Sequence, residues 1–348
     1  MSDFHTLSIK NINQETADAV SISFDVPSFL QDDFTFKAGQ YLTLKTNING
    51  AEVRRAYSIC SSPNSGELQV SVKAVENGAF STFATSQLSE GFQLDVHTPE
   101  GFFTLEPKDN LNYIGFAAGS GITPILSMIK TTLEDSTNAS FTLVYGNKSE
   151  ADIIFKSELE RLQAQYPNRF NLHYVLSRQN VEGTLFGRID EGFTNYYINN
   201  IYKDTTFTSA FLCGPEEMIQ TVSKTLQSAG FGEDQISFEL FTSSTEDENT
   251  ELIKEGETEV TVLLDDEELS FTMKQTNDIL SEALRNDVDA PYSCQGGVCS
   301  SCLAKVTEGK AVMTKNSILT DDEVEDGFIL TCQAHPTPQK ITIDFDDV

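Results

Sequence analysis

PYSCQGGVCSSC, residues 291–302, is the stretch from which the chain is read. Cys294, Cys299 and Cys302 stand in it at C-x4-C-x2-C spacing, and Cys332 follows after 29 intervening residues in LTCQAHP, 330–336. Three thiolates from one loop and a fourth from a distant strand match the plant-type spacing for a [2Fe–2S] cluster. Geometry explains the order. Three ligands wrap a small inorganic core inside one tight loop, where Gly296 and Gly297 let the backbone bend, and the fourth closes the cage. Zinc and disulfides are the alternatives. Zinc sites generally combine short CxxC or Cys/His pairs, and only one such pair occurs here. A cluster needs a source of electrons, so the upstream chain is read for one.

The 348 residues suffice for two or three domains, and a hydrophobic content of 39% allows full cores. No run approaches the ~20 apolar residues of a membrane span. The start MSDFHTLSIKN lacks a basic segment followed by an apolar one. A cytoplasmic protein is expected, and a thiolate-held cluster suits a reducing compartment. Cys60 and Cys213 lie far apart in strand-like runs, and no disulfide is expected between them. The net charge is −30. Such a surface repels nucleic acid and anionic membrane, so neither is expected as a partner. Residues 242–348 carry 24 acids against 7 bases. That excess reads as solubility or salt adaptation, or as steering toward a basic docking face on an electron acceptor.

From residue 1 to 108 the pattern is six short alternating strands with turn residues between several of them, and one short helix, FSTFATSQL. A small closed β-barrel is expected. Arg55, Tyr57 and Ser58 of RRAYS, read at alternate positions of one strand, are expected on one face. A guanidinium there suits a phosphate and an aromatic suits a flat ring. Gly78, Ser81 and Thr82 open the helix, where a pyrophosphate is well placed. Each of these signals alone is weak.

Residues 109–241 change to alternating strands and helices, the pattern of a doubly wound α/β domain. The first strand runs into Gly119-Ser120-Gly121-Ile122-Thr123-Pro124. Glycines there let backbone N–H groups approach a dinucleotide phosphate, although Pro124 replaces the third glycine of the usual fingerprint. No acid ends the second strand, where Asn147 and Lys148 stand, so a ribose 2′-hydroxyl has no obvious acceptor. Ser177 and Arg178 end the third strand, and positive charge favours the 2′-phosphate of NADPH over NADH. Cys213-Gly214-Pro215 closes the fourth strand. The polar, acidic run 242–257 reads as a linker. Residues 258–348 read as a small β-grasp domain around the cysteine loop, with a helix capped by Asn277 and another opened by a Thr320/Glu323 capping box. The four histidines are scattered, and none is assigned to catalysis or metal.

Taken in order, Arg55-x-Tyr57-Ser58, Gly78-x-x-Ser81, GSGITP at 119–124, CGP at 213–215 and the terminal cysteine motif resemble the ferredoxin–NADP reductase-type flavoproteins with a C-terminal plant-type ferredoxin domain. The resemblance spans nearly the whole chain. It implies that Arg55 holds the FAD pyrophosphate, that Tyr57 stacks on the isoalloxazine and that Ser58 bonds near flavin N5. Gly78, Ser81 and Thr82 would cradle phosphate, with Val72, Lys73 and Phe80 also lining the FAD site. Gly119, Ser120, Gly121, Thr123 and Pro124 would take the nicotinamide cofactor's pyrophosphate. Cys213 would lie beside nicotinamide C4, next to Gly214 and Pro215. Ser58 and Cys213 are the implied catalytic residues, and Cys294, Cys299, Cys302 and Cys332 the metal ligands. A flavin is needed because NADPH gives two electrons together, whereas a [2Fe–2S] cluster takes one. Phrases such as RAYSIC, FAAGSGITP and FTLVYGN look most like reductases that serve a di-iron oxygenase acting on an aromatic acyl-CoA thioester in aerobic phenylacetate breakdown. The acceptor would thus be an oxygenase component, met transiently. A reductase for another oxygenase, a desaturase or a hybrid-cluster protein is the alternative, and a redox-sensing iron–sulfur module is another.

Overall fold

The computed structural model describes residues 4–241, 252–253 and 255–348. Most of the run 242–257, read above as a linker, lies outside the described residues. The chain divides into two compact units, with the boundary between Glu239 and Leu240.

The first unit begins with β1 (Phe4–Thr16), β2 (Ala19–Asp25), β3 (Tyr41–Ile48), β4 (Ala51–Ser58), β5 (Leu68–Lys73), α1 (Ala79–Ser86) and β6 (Gln93–His97). The strands form one antiparallel sheet in the order β4-β3-β6-β1-β2-β5. Alternate residues such as Leu7, Ile9, Leu42, Leu44, Val70 and Val96 fill its concave side. The sheet curls until its ends meet: the chain leaving β4 returns to β5, where Cys60 N–H donates to the Gln69 carbonyl at 2.8 Å. The expected barrel is therefore present.

The same unit continues with β7 (Asn112–Ala118), α2 (Ile122–Asp135), β8 (Ser140–Asn147), α3 (Lys156–Gln165), β9 (Phe170–Leu176), β10 (Leu185–Phe186), α4 (Glu191–Asn195), β11 (Ser209–Cys213), α5 (Glu216–Ser228) and β12 (Ile236–Glu239). All six strands are parallel, in the order β10-β9-β8-β7-β11-β12. The sheet is doubly wound as expected. Helices cover it, so Ile114, Phe116, Leu143 and Val144 are wholly buried. The order reverses between β7 and β11, which is where ligands gather in such sheets. Two readings need correction. The edge strand β10 was not anticipated. The run IIFKSELERLQAQY, 153–166, reads as a helix from Ile153, but α3 starts at Lys156, because Phe155 has φ 60°, which no right-handed helix contains.

One face of α2 fastens to the segment that follows β4. Ser127 Oγ donates to the Ser61 carbonyl at 2.6 Å, and Lys130 Nζ to the Cys60 carbonyl at 3.0 Å. Lys130 also pairs with Glu158 at 3.0 Å. Ser62 bonds Glu134, and Asn64 donates to Asp135 at 2.7 Å. Residues 127, 130 and 134 lie three and four apart, so they share one helix face.

The second unit contains β13 (Glu257–Leu264), β14 (Glu267–Lys274), α6 (Ile279–Arg285), β15 (Leu303–Glu308), β16 (Ala311–Met313), α7 (Asp321–Glu325), β17 (Phe328–Leu330), β18 (Ala334–Pro336) and β19 (Lys340–Asp344). Five strands pair in the order β14-β13-β19-β15-β17, with β13 and β19 parallel, and β16 pairs β18. Ile279, Leu280 and Ala283 of α6 belong to the same core as Val260, Ile341 and Ile343. This is the expected β-grasp arrangement. The cap of α6 is Asp278, whose carboxylate accepts from Ser281 N–H at 2.8 Å, and not Asn277, whose amide donates to Glu282. The Thr320/Glu323 capping box forms as read. Cys60 and Cys213 are free buried thiols. Among the described residues, no helix is long and apolar enough to cross a membrane.

Candidate functional site

Strand β4 delivers Arg55, Tyr57 and Ser58 to the barrel's end, but not to one face. Arg55 is exposed and its guanidinium donates to the Arg54 carbonyl at 2.6 Å. Tyr57 is half-buried against Phe80, ring centroids 5.4 Å apart. Ser58 is the neighbour of Tyr57, and adjacent residues of a strand point to opposite sides. It turns inward, 3% exposed. The expectation of a shared face holds for Arg55 and Tyr57 and fails for Ser58. Phe80 and Val72 are buried in the barrel core, and Lys73 pairs with Asp18 at 3.6 Å. Gly78 caps α1. The Ser81 hydroxyl is engaged locally, accepting from Val75 N–H at 3.2 Å, whereas Thr82 is exposed.

The β7–α2 turn approaches the end of β11 very closely. A Cβ on Gly121 would lie 2.1 Å from the Cys213 carbonyl oxygen, so only glycine fits there. The Gly119 carbonyl accepts from the buried Tyr145 hydroxyl at 2.9 Å and from Ile122 N–H, and Thr123 Oγ1 donates to the Ser120 carbonyl at 3.0 Å. Pro124 lies in the first turn of α2. Gly214 and Pro215 lead into α5, with Pro215 as its cap. At the neighbouring strand ends, Ser177 N–H donates to the Asn147 carbonyl at 2.9 Å and Arg178 N–H to the Lys148 carbonyl at 2.8 Å. Both cationic side chains are exposed at that edge.

Ser58 and Cys213 are linked through a residue that the sequence reading missed. Ser58 Oγ donates to Glu239 Oε2 at 2.9 Å. Glu239 is the register partner of Cys213 across β11 and β12. Burial lifts the Glu239 carboxyl to about 7, only partly offset by the Ser58 hydrogen bond. Burial, and then the Glu239 charge, push the Cys213 thiol up, so it stays protonated and is not a nucleophile. The available signal was a lone acid in the otherwise apolar end of ISFELF, 236–241.

In the second unit the four motif cysteines come together. Cys302 is 1% exposed, Cys299 and Cys332 each 8%. Cys294 hydrogen-bonds with Cys299 and Cys332, and Cys302 with Cys332. Those bonds, helped by the Gly296 N–H at 3.3 Å, hold the Cys294 thiol well below its ordinary value. Among the described residues, no three His, Cys, Asp or Glu side chains converge on one ion. Cys294 meets both Cys299 and Cys332, and Cys332 also meets Cys302, so the four thiols form one connected group. Beside them the buried Ser293 hydroxyl has no hydrogen-bond partner within the protein. Donor type, convergence and burial all fit a [2Fe–2S] group.

Comparison with known proteins finds three family matches along the chain. The chain matches the oxidoreductase FAD-binding domain family over residues 6–105, the oxidoreductase NAD-binding domain over 116–224 and the 2Fe-2S iron-sulfur cluster binding domain over 262–337. It is 37% identical to one of the subunits of 1,2-phenylacetyl-CoA epoxidase from Escherichia coli (strain K12), covering 99% of both chains. It is 34% identical to the ferredoxin reductase component of 3-ketosteroid-9-alpha-monooxygenase from Rhodococcus rhodochrous, covering 97% of this chain and 96% of that one. Phthalate dioxygenase reductase shares the fold, with a TM-score of 0.63 at 23% identity over 98% of each chain.

The raised Glu239 value makes a thermodynamic prediction. Between about 4.5 and 7 the folded unit binds more protons than the unfolded chain, so its stability falls as pH rises through that window. Urea unfolding of the parent and of Glu239→Gln should differ in slope there, the parent losing about 1–3 kcal/mol relative to the variant. Parallel profiles would contradict the shift.

Proposed function

Because this chain belongs to the ferredoxin–NADP reductase-type flavoproteins that end in a plant-type ferredoxin domain, and is an NAD(P)H-dependent flavin and iron–sulfur reductase, we propose that it draws electrons from NADPH and delivers them to the di-iron oxygenase of a phenylacetyl-CoA epoxidase in aerobic phenylacetate breakdown. Kinship along the full length with a component of that epoxidase supports this acceptor. Relatives that serve a ketosteroid monooxygenase keep a different oxygenase as the second reading.

Bound FAD supplies conversion of a two-electron donor into single electrons, and the cluster receives them one at a time. The chain's own residues position these groups. Arg55, exposed at the barrel's end, holds the flavin pyrophosphate, and Thr82 adds a hydroxyl where α1 begins. Tyr57, its ring braced by Phe80, presents a flat face to the isoalloxazine. Ser58 is held by Glu239, which titrates near neutrality and therefore keeps or shares a proton at the Ser58 hydroxyl. Cys213, a neutral and dry thiol, packs beside the nicotinamide and excludes water. The β7–α2 turn takes the dinucleotide pyrophosphate, and Arg178 with Lys148 holds the 2′-phosphate. Cys294, Cys299, Cys302 and Cys332 hold the cluster. A cytoplasmic location and a transient encounter with a basic face of the oxygenase fit the acidic surface.

Three outcomes are expected. In Cys299→Ser, NADPH-driven cytochrome c reduction should fall about tenfold or more while ferricyanide turnover stays within about twofold; equal loss of both would break the division of labour. Arg178→Ala should raise KM about tenfold for NADPH, the worth of a charge-assisted hydrogen bond, and hardly at all for NADH. Reconstitution with the matched epoxidase oxygenase should support epoxidation; failure there, with good service to another oxygenase, would reassign the acceptor.

A further inference from the structure

Gln333 directly follows the fourth cysteine, and its side chain is held on every side. Its Nε2 lies 3.2 Å from the Gln295 carbonyl, 2.9 Å from the Cys332 carbonyl and 3.7 Å from Cys332 Sγ. Its Oε1 accepts from Thr314 Oγ1 at 3.0 Å, and Thr314 N–H donates to the Gln333 carbonyl at 2.9 Å. The amide therefore has one orientation. Flipping it would set Oε1 against two carbonyl oxygens and turn the NH2 group toward the Thr314 hydroxyl. Thr314 is itself buried, so the anchor is not a surface contact. The methylene stem also has a fitted place. A Cβ on Gly297 would lie 3.0 Å from Gln333 Cγ, so the side chain rests where Gly297 has no Cβ. Gln295, whose carbonyl receives one N–H, has φ 54°, a conformation that a non-glycine residue keeps only when its surroundings hold it.

We infer that Gln333 is a positioning residue that staples the three-cysteine loop to the turn between β17 and β18, which carries the fourth cysteine, and, by an N–H shared between the Cys332 carbonyl and Cys332 Sγ, raises the reduction potential of the cluster. The inference rests on the reading that these four cysteines hold a [2Fe–2S] group. One-electron reduction adds negative charge to the cluster and its sulfurs. A donor fixed beside one sulfur stabilises the reduced form more than the oxidised form. The loop carbonyl binds the same NH2 group, so the donor is aimed before any charge arrives and needs no reorganisation.

The test is an EPR-monitored potentiometric titration of the full chain, loaded with iron and sulfide, with cluster content measured by iron and acid-labile sulfide. Gln333→Leu keeps the volume and removes the donor. Its midpoint should fall by the equivalent of at least about a threefold change in the reduction equilibrium, where tenfold is about 59 mV for one electron. Thr314→Val leaves Gln333 in place but releases Oε1, and should shift the midpoint in the same direction by less. Ferricyanide turnover, which leaves through the flavin, should not change in either variant. A loaded Gln333→Leu protein with the parent's midpoint overturns the inference. If that variant loses its cluster, the Thr314→Val midpoint decides instead, an unchanged value overturning the inference and a fall supporting it. A parent protein that shows no paramagnetic centre on reduction would defeat the cluster reading itself, a separate result.

Discussion

The first unit depends on how α2 is fastened. Lys130 carries a charge into a buried place, and such a charge persists only where it is paired and hydrogen-bonded. Glu158 and the Cys60 carbonyl meet that need. Because a helix is rigid, gripping its side at Ser127, Lys130 and Glu134 also fixes its N-terminus. The β7–α2 turn at that end is thereby held at a set place relative to Tyr57 and Ser58 on β4. The Ser58–Glu239 hydrogen bond makes a second tie between barrel and sheet, at the end of the last parallel strand. These polar contacts add direction to the apolar core in which Ala19, Ala38 and Cys60 of the barrel join Ile125, Met128 and Ile129 of α2, since apolar packing is non-directional.

The carboxyl in that second tie is costly to bury as an anion, and the fold resolves the cost by letting it keep its proton near neutrality. Its strand neighbour Cys213 responds in the same way and stays a thiol. The site where cofactors would meet is therefore nearly uncharged at its centre, with its cations, Arg55 and Arg178, at the exposed edges. That distribution suits flat conjugated rings inside and phosphates outside. The second unit solves a different problem. Its four sulfurs are brought within reach of each other by a loop whose backbone is bent at Gln295 and Gly297, both left-handed, and by side-chain contacts from the turn between β17 and β18.

Much of this was legible in the residues. Strand alternation set out the barrel, the change of period near residue 109 set out the α/β sheet, and the cysteine spacing set out the cage. Local chemistry also carried the Thr320/Glu323 capping box, because both partners lie within one turn. Where the reading failed, the cause was local in three cases and distant in one. Asp278 outcompeted Asn277 as a cap through its bond to Ser281. Phe155 adopted a left-handed backbone and delayed α3. Ser58 parted from Arg55 and Tyr57 because pleating sends adjacent residues to opposite sides. Glu239 was invisible as a site residue because it is 181 positions from Ser58.

By itself the sequence determined most of the elements and their order, and singled out the four thiols that come together, since periodicity, turn chemistry and ligand spacing act over a few residues or are repeated in type. Only the tertiary structure decided which polar groups face each other. It joined Ser58 to Glu239, set Glu239 beside Cys213, and turned the Gln333 amide toward Cys332. Those pairings follow from strand register and from burial, which shift pKa values and orient donors only once distant segments have been brought together.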